Sequence, residues 1–276
     1  MPLLLLTALL LGSGATLAGT ASADGTGGGS FVATGSMTQP RYFQTATPLH
    51  SGKVLVVGGL GGNAESAELY DPATGTFTAS GPMTTPRDTH TATRFNDGKV
   101  LVAGGNSNGE DGELASAELY DPAAATFTAT GSMSVAREFR TATTLRSGKV
   151  LVAGGDNTTG ALASAEVYNP KTGTFTTTGS MADARSVHTA TLLADGTVLV
   201  TGGGFGNTFL ASAEVYNPRT GKFGPTGSMS TALAGQTATL LRNGRVLING
   251  GGNLTEITAS AELYVRGCGE RRCPSN

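Results

Sequence analysis

A chain of 276 residues with 42 glycines, no tryptophan and 14% charged residues carries about twice the average proportion of glycine. Its 18 basic and 20 acidic residues leave a formal charge of -2, which excludes whole-chain electrostatic attraction to nucleic acid or to an anionic membrane surface. With 38% hydrophobic residues it is also too apolar for a low-complexity linker, so the glycine has to serve a globular fold.

Residues 3–11 read LLLLTALLL, far short of the roughly 20 apolar residues that span a bilayer. Small residues and the A-x-A pattern Ala21-Ser22-Ala23 follow. That order predicts a secretory signal over residues 1–23, and DGTGGGS at 24–30 predicts a flexible leader. No Lys or Arg precedes the apolar run; the first is Arg41. The chain is therefore expected to be secreted, periplasmic or at the cell surface, with no membrane span.

From Phe31 onward the sequence repeats. GSM or GPM begins at Gly35, Gly81, Gly131, Gly179 and Gly227, with spacings of 46, 50, 48 and 48. After each comes an Arg (Arg41, Arg87, Arg137, Arg185; Leu233 in the fifth unit), the triplet TAT, and a V-L-[VI]-x-G-G run. S-A-E-[LV]-Y follows, and then a Phe at Phe77, Phe127, Phe175 or Phe223. The Val-, Thr-, Tyr- and Phe-rich segments are bounded by Gly, Pro, Asp and Asn, which predicts four short antiparallel strands per unit: a (TAT), b (VLVxGG), c (SAELY) and d (the Phe strand ending at GSM). No helical period is present.

The double glycine after strand b (Gly58-Gly59, Gly104-Gly105, Gly154-Gly155, Gly202-Gly203, Gly250-Gly251), the Tyr that follows it (Tyr70, Tyr120, Tyr168, Tyr216, Tyr264) and the strand-d aromatic resemble the kelch repeat. The resemblance implies an all-β fold, a β-propeller of kelch repeats over residues 31–265 with a tail at 266–276. Phe stands where that family usually carries Trp on strand d. The lone d strand at 31–37 and the fifth unit, which stops after strand c, are complementary. They predict five four-stranded blades closed by the N-terminal d strand, and a monomer.

All length variation falls between the double glycine and the Tyr, at 11, 15, 13, 13 and 13 residues, so the b–c loops form the variable face on which binding is expected. The recurring Arg41, Arg87, Arg137 and Arg185 and the recurring Glu68, Glu118, Glu166, Glu214 and Glu262 are expected to be structural, as repeated Arg–carboxylate pairs. If pairing is within the unit, Glu262 lacks its arginine. Residues just before TAT differ between units (Gln44, His90, Arg140, His188, Gln236), as do those two places earlier (Tyr42, Asp88, Glu138, Ser186, Ala234). They are the candidates for a polar ring at the channel mouth. The b–c loops add Glu110, Asp111 and Glu113, and the aromatic pair Phe205 and Phe209, whose ring faces suit sugars or protein partners.

The acidic loop lacks calcium-loop spacing. A metal held by His90, His188 and Asp88 would need histidines from non-adjacent blades to meet, so no metal and no cofactor are assigned. The only cysteines, Cys268 and Cys273, are expected to close a small disulfide loop in the tail. No nucleophile elbow, phosphate loop or paired-carboxylate motif is present. Copper-radical oxidation, known in some secreted kelch propellers, is disfavoured because no Cys lies within the repeats. The expected function is a secreted interaction module that binds a protein or a glycan through the b–c and d–a face. The alternative is a carbohydrate-active hydrolase, lyase or epimerase using His90, Arg140 and His188.

Overall fold

The computed structural model describes residues 31–107 and 112–267. The signal and leader at 1–30, the loop residues Glu110 and Asp111, and Cys268 with Cys273 lie outside the described residues. Among the described residues the only regular secondary structure is strand, and no helix is long and apolar enough to cross a membrane.

Each repeat folds into one antiparallel sheet. The first comprises β1 (Thr45–Pro48), β2 (Val54–Val57), β3 (Ala67–Asp71) and β4 (Thr76–Ser80), and the second β5 (Thr91–Arg94), β6 (Val100–Ala103), β7 (Ala117–Asp121) and β8 (Thr126–Ala129). The third has β9 (Thr141–Thr144), β10 (Val150–Ala153), β13 (Ala165–Asn169) and β14 (Thr174–Thr177), with a small hairpin of β11 (Asp156–Asn157) and β12 (Gly160–Ala161) in its b–c loop. In the fourth, β15 (Thr189–Leu192), β16 (Val198–Thr201), β19 (Ala213–Asn217) and β20 (Lys222–Pro225) carry the hairpin of β17 (Gly204–Phe205) and β18 (Thr208–Phe209). The fifth is three-stranded: β21 (Thr237–Leu240), β22 (Val246–Asn249) and β23 (Ala261–Tyr264).

The a strands of successive blades pack together, β1 on β5, β5 on β9, β9 on β15 and β15 on β21, so they line the centre of a propeller. Strand b is sandwiched between neighbouring sheets, which is why its residues do not alternate. All four residues of β6, β10 and β16 are buried. Each inter-blade core joins one blade's b-strand residues to the next blade's Val-rich b strand and its Tyr, as in Leu55, Val57, Met83, Val100, Val102 and Tyr120. Full burial of one such aliphatic side chain contributes about 1.5–3 kcal/mol.

Two polar contacts fix the spacing between blades. The strand-c tyrosine reaches back to a hydroxyl on the preceding d segment, as in Tyr120 to Ser80 at 2.9 Å, Tyr168 to Thr130 at 2.8 Å and Tyr216 to Thr178 at 2.9 Å. The N–H of the GSM or GPM glycine donates to the c–d turn of the next blade, Gly81 to Ala125 O at 3.1 Å and Gly131 to Gly173 O at 2.9 Å. A Cβ on Gly81 or Gly131 would lie 2.5 or 2.4 Å from that carbonyl oxygen, so only glycine permits the approach.

Among the described residues the expected pairing of the N-terminal d strand with the fifth blade is not made. Residues 31–37 form no strand, and Phe31 and Val32 are 102% and 85% exposed. They seat instead on the first blade, where the Gly35 N–H donates to Gly75 O at 2.8 Å and Thr34 Oγ1 meets Tyr70 OH at 2.8 Å. Among the described residues no fourth strand pairs with β23, and β1 and β21 make no packing contact comparable to those of neighbouring a strands. The reason is geometric: docking a d segment on the blade that follows it does not require the blade that precedes it, so the first blade holds its segment while the fifth lacks one.

The c–d turn shows one departure in the repeat. Gly75, Gly173 and Gly221 adopt φ of 67°, 67° and 66°, and Ala125 takes the same left-handed place at 54°. A left-handed residue with a Cβ costs about 1–2 kcal/mol. Ala125→Gly is therefore expected to raise stability by about 1 kcal/mol and Tm by about 2–4 °C. Thermal unfolding of the two proteins checks this, and an unchanged or lowered Tm refutes the strain at Ala125.

Candidate functional site

The d–a connection carries each blade from its outer edge back to the centre, and a buried arginine fixes its course. Arg137 donates from Nη1 to Gly154 O at 2.8 Å and Ser164 O at 2.9 Å, and from Nη2 to Ser164 Oγ at 2.9 Å and Glu166 Oε1 at 3.4 Å. Glu166 accepts in turn from the Ser134 N–H at 3.0 and 2.9 Å. The other pairs are Arg41–Glu68 at 2.9 Å, Arg87–Glu118 at 3.0 Å and Arg185–Glu214 at 3.2 Å. Burial lowers the pKa of the guanidinium in Arg87, Arg137 and Arg185, with their glutamates opposing it. Glu68 is lowered on balance: burial pushes it up, and the Thr38 N–H and Arg41 more than offset that. In the fifth blade Leu233 is buried in place of arginine, and Glu262 accepts from Ser230 N at 3.0 Å and Oγ at 2.7 Å.

Beyond the arginine the chain turns left-handed once per blade, at Phe43 (φ 60°), Thr89 (47°), Phe139 (47°), Val187 (53°) and Gly235 (70°). Four of these are not glycine, an uncommon conformation for bulky or β-branched residues. Three of the four neighbouring pairs of turns are linked through the backbone, while the Thr89 carbonyl accepts from the Arg140 side chain. Thr89 N–H donates to Phe43 O at 3.3 Å, Val187 N–H to Phe139 O at 3.1 Å and Gly235 N–H to Val187 O at 3.1 Å. Phe43 and Phe139 meet edge to face with centroids 6.4 Å apart, and Tyr42 lies against Phe43. Tyr42, Val187 and Phe205 are 46%, 43% and 42% exposed. A pocket of about 160 Å³ lies among Phe139, Asp156, Ser186, Val187, Phe205, Phe209 and Ala234.

The left-handed turn also redirects the residue after it. His90, Arg140, His188 and Gln236, expected as a polar ring at the channel mouth, are buried at 5, 6, 6 and 4% exposure and point between blades. His90 Nε2 meets Thr45 Oγ1 of the preceding blade at 2.8 Å, and His188 Nε2 meets Thr141 Oγ1 at 3.0 Å. Arg140 Nη1 donates to Thr89 O at 3.0 Å, and Gln236 Nε2 to Thr201 O at 2.9 Å. Each fills the space left by the preceding blade's double glycine: a Cβ on Gly58 would lie 2.8 Å from His90 Cε1, and one on Gly154 would lie 2.6 Å from His188 Cε1. These residues are inter-blade wedges. Gln44, the equivalent residue of the first blade, is only half-buried.

The positions two places earlier stay at the mouth. Tyr42, Asp88, Glu138, Ser186 and Ala234 each bridge to the residue after the double glycine, so they border the b–c loops. Asp88 is 4% exposed, and its pKa is raised by burial. Glu138 accepts from Thr89 Oγ1 at 3.1 Å, yet burial pushes its carboxyl up to about 7. Asp156, beside it, is pushed up to about 6, mainly by burial, with the charge of Glu113 adding to the effect. Asp156 and Glu113 thus join the site, and repetition in the sequence did not flag Asp156. Among the described residues no group of three or more His, Cys, Asp or Glu side chains is placed to hold a metal ion.

A family model described as the Kelch motif matches residues 140–182 and 185–230, the third and fourth blades. The third and fourth blades are kelch motifs. No curated protein matches the chain. The first, second and fifth repeats carry the same double glycine, Tyr and Glu as the two matched ones. Kelch repeats generally mediate protein interactions, and here the variable loops and the collar of left-handed residues share one face.

Two measurements probe this arrangement. Removing one partner of a buried ion pair costs about 3–5 kcal/mol, so Arg137→Met is expected to destabilise strongly in urea unfolding, and Arg137→Met/Glu166→Met to recover part of the loss. Equal stability of the single variant and the native chain would contradict the burial of the pair. The second concerns pH. His90 and His188 are held neutral, with pKa values pushed down to about 3 by burial and by nearby arginines. Their stabilisation is complete above about pH 6.5 and is lost as pH falls toward 3. Glu138 has the opposite sign, its contribution being complete below about pH 4.5 and lost as pH rises through 7. His90→Gln, the residue the fifth blade uses, should therefore lose less Tm than the native chain between pH 7 and pH 4. Glu138→Gln should lose less between pH 5 and pH 8. Parallel Tm profiles for all three proteins would refute both assignments.

Proposed function

We propose that this kelch chain is a binding module whose ligand, a protein or a glycan, docks on the face formed by the d–a connections and the b–c hairpins. The observation that carries the reading is the apolar collar: Tyr42, Phe43, Phe139 and Val187 stand around the mouth, and Phe205 and Phe209 rise beside them from the hairpin of the fourth blade. Exposed aromatic side chains grouped at a shallow pocket are the usual anchors of a protein interface. A protein ligand is the first reading, in keeping with the general role of kelch repeats. A glycan is the second, since an exposed Phe ring beside a carboxylate also suits a sugar face.

The carbohydrate-active alternative loses its expected residues, because His90, Arg140 and His188 are wedged in three separate inter-blade seams. What supports it is a different pair, Glu138 and Asp156, whose raised pKa values are of the kind that acid–base catalysis uses. Export is part of the proposal, supported by the apolar run at residues 3–11 and by Ala21-Ser22-Ala23 after it.

A screen of the purified chain against protein and glycan panels, followed by titration, tests the assignment. Phe205→Ala and Phe209→Ala are each expected to weaken the ligand by about tenfold or more, the range of an interface anchor, with Tm unchanged. Full affinity in both variants removes the collar as the binding site. Turnover of a glycan that is lost in Glu138→Gln would favour the enzyme instead.

A further inference from the structure

The low net charge of this chain conceals a segregation of its charges between the two ends of the propeller. Arg41, Arg87, Arg137, Arg140 and Arg185 have their side chains buried within and between the blades. Every other Lys or Arg among the described residues lies at the end formed by the a–b and c–d turns. The a–b turns carry Lys53, Lys99, Arg146, Lys149, Arg242 and Arg245, and Arg94 at the end of β5 leads into one of them. The c–d turns carry Lys171 and Arg219, Lys222 opens β20, and Arg266 follows β23. Among the described residues the opposite end has no exposed cation, and it holds Glu65, Asp88, Glu113, Glu138, Asp156 and Glu256.

Local pairing leaves the basic end unbalanced. Lys53–Asp71 at 3.2 Å, Lys99–Asp121 at 3.4 Å and Arg266–Asp195 at 2.9 Å account for three of its carboxylates. Only Asp97 remains, against eight cations with no ion-pair partner among the described residues. Outside the described residues this sequence adds Arg271 and Arg272 and, apart from the b–c loop residues Glu110 and Asp111, only the acidic Asp24 and Glu270, too few to neutralise that end. The far carboxylates do not cancel it either. A four-residue strand spans about 13 Å and the turns lie beyond it, so the two ends are separated by more than the Debye length of about 8 Å at physiological ionic strength. The unpaired cations share one surface: Arg146 and Arg219, from an a–b and a c–d turn of neighbouring blades, border one recess, and Lys149 borders another with Pro218 and Gly221. A stable surface ordinarily intersperses both signs, and a single-sign end attracts an extended anion.

We propose that this end of the propeller rests on an anionic lipid surface, with Arg146, Lys149, Lys171, Arg219, Arg242 and Arg245 against the headgroup phosphates. The unpaired cations come from the turns of four successive blades, so they cover a broad end rather than line a cleft. That distribution suits a two-dimensional array of phosphates better than a single strand threaded through a groove. Apart from Phe31, the exposed rings able to stack on nucleobases, Tyr42 and Phe205, stand at the other end. A second copy presenting its acidic end is disfavoured, because Glu138 and Asp156 there are half-buried and burial raises their pKa values. Docked on lipid in this way, the chain turns its collar away from the surface and leaves it open to the ligand proposed above.

Flotation of the full chain with vesicles reads the arrangement directly. Binding is expected to vesicles of phosphatidylcholine containing about one-third phosphatidylglycerol and not to phosphatidylcholine alone, and it should be lost at roughly 0.5 M salt. Near an anionic surface each basic residue contributes roughly fivefold to partition. Lys149→Gln/Lys171→Gln/Arg219→Gln/Arg242→Gln should therefore weaken binding by about a hundredfold or more, with circular dichroism and Tm unchanged. Glu65→Lys/Glu256→Lys shifts the net charge by as much in the other direction, but at the far end, and should leave vesicle binding within about twofold. Equal binding to both kinds of vesicle, full binding by the four-site variant, or strong tightening by Glu65→Lys/Glu256→Lys overturns the proposal. So does DNA bound more tightly than the vesicles at the same salt, or salt-sensitive self-association in place of vesicle binding.

Discussion

The buried arginine at the start of each d–a connection is the interaction on which the arrangement of the blades depends. A desolvated guanidinium is costly unless nearly all of its N–H groups find acceptors. The acceptors here come from three separate places in the repeat: the first glycine carbonyl after strand b, the serine before strand c, and the strand-c glutamate. Satisfying one side chain therefore joins the ends of strands b and c to the connection that enters strand a. The glutamate extends the tie by accepting the backbone N–H just after GSM. With both ends of the connection pinned, the residues between the arginine and strand a have little freedom. There the backbone turns left-handed even where the residue is Phe, Thr or Val.

That turn decides which side chains build the propeller and which face outward. The residue before it borders the b–c loop, the residue at the turn stands at the mouth, and the residue after it enters the seam between blades. The seam accepts His, Arg or Gln because the double glycine opposite offers space without a Cβ. A charged Arg140 buried in one seam, with its pKa lowered to about 9 by burial and by Arg87 and Arg137, shows how permissive that slot is. Its Nη1 donates to the Thr89 and Arg137 carbonyls and its Nη2 to Thr91 Oγ1, while its Nε finds no acceptor.

Most of the fold could be read from the chain because the repeat states it five times. The double glycines, the tyrosines and the strand-d phenylalanines give the blade, and their recurrence at nearly constant spacing gives the propeller. Closure was less accessible, since a d strand placed before the first blade is compatible with both a closed ring and an open array. The residues before TAT lie between blades for a sharper physical reason: a place on the innermost strand suggests the channel mouth, but one left-handed residue turns the backbone immediately before them. Phe43, Thr89, Phe139 and Val187 carry no sign of that conformation, and only Gly235 hints at it. Asp156 was overlooked because it follows a double glycine, where the other units hold Leu60, Asn106, Gly204 and Gly252, and no repeated acidic position points to it.

The same logic explains why the mouth is where this chain can vary without losing its fold. At Phe43, Phe139 and Val187 the backbone is held by contacts that do not use those side chains: the arginine network below and N–H to carbonyl links between neighbouring turns. Strained positions of this kind persist only when the surroundings over-determine them, and the side chain is then free to be chosen for contact rather than for folding. In this chain the choice is apolar at Phe43, Phe139 and Val187, set beside carboxylates at Glu138 and Asp156 that titrate close to neutrality. Below about pH 5 both carboxyls are largely neutral, and above 7 the surface gains negative charge beneath the same rings. A ligand that buries the collar desolvates these carboxyls further, which favours their neutral form. Unless the ligand brings its own cation or donors, binding and proton uptake are therefore coupled at this face.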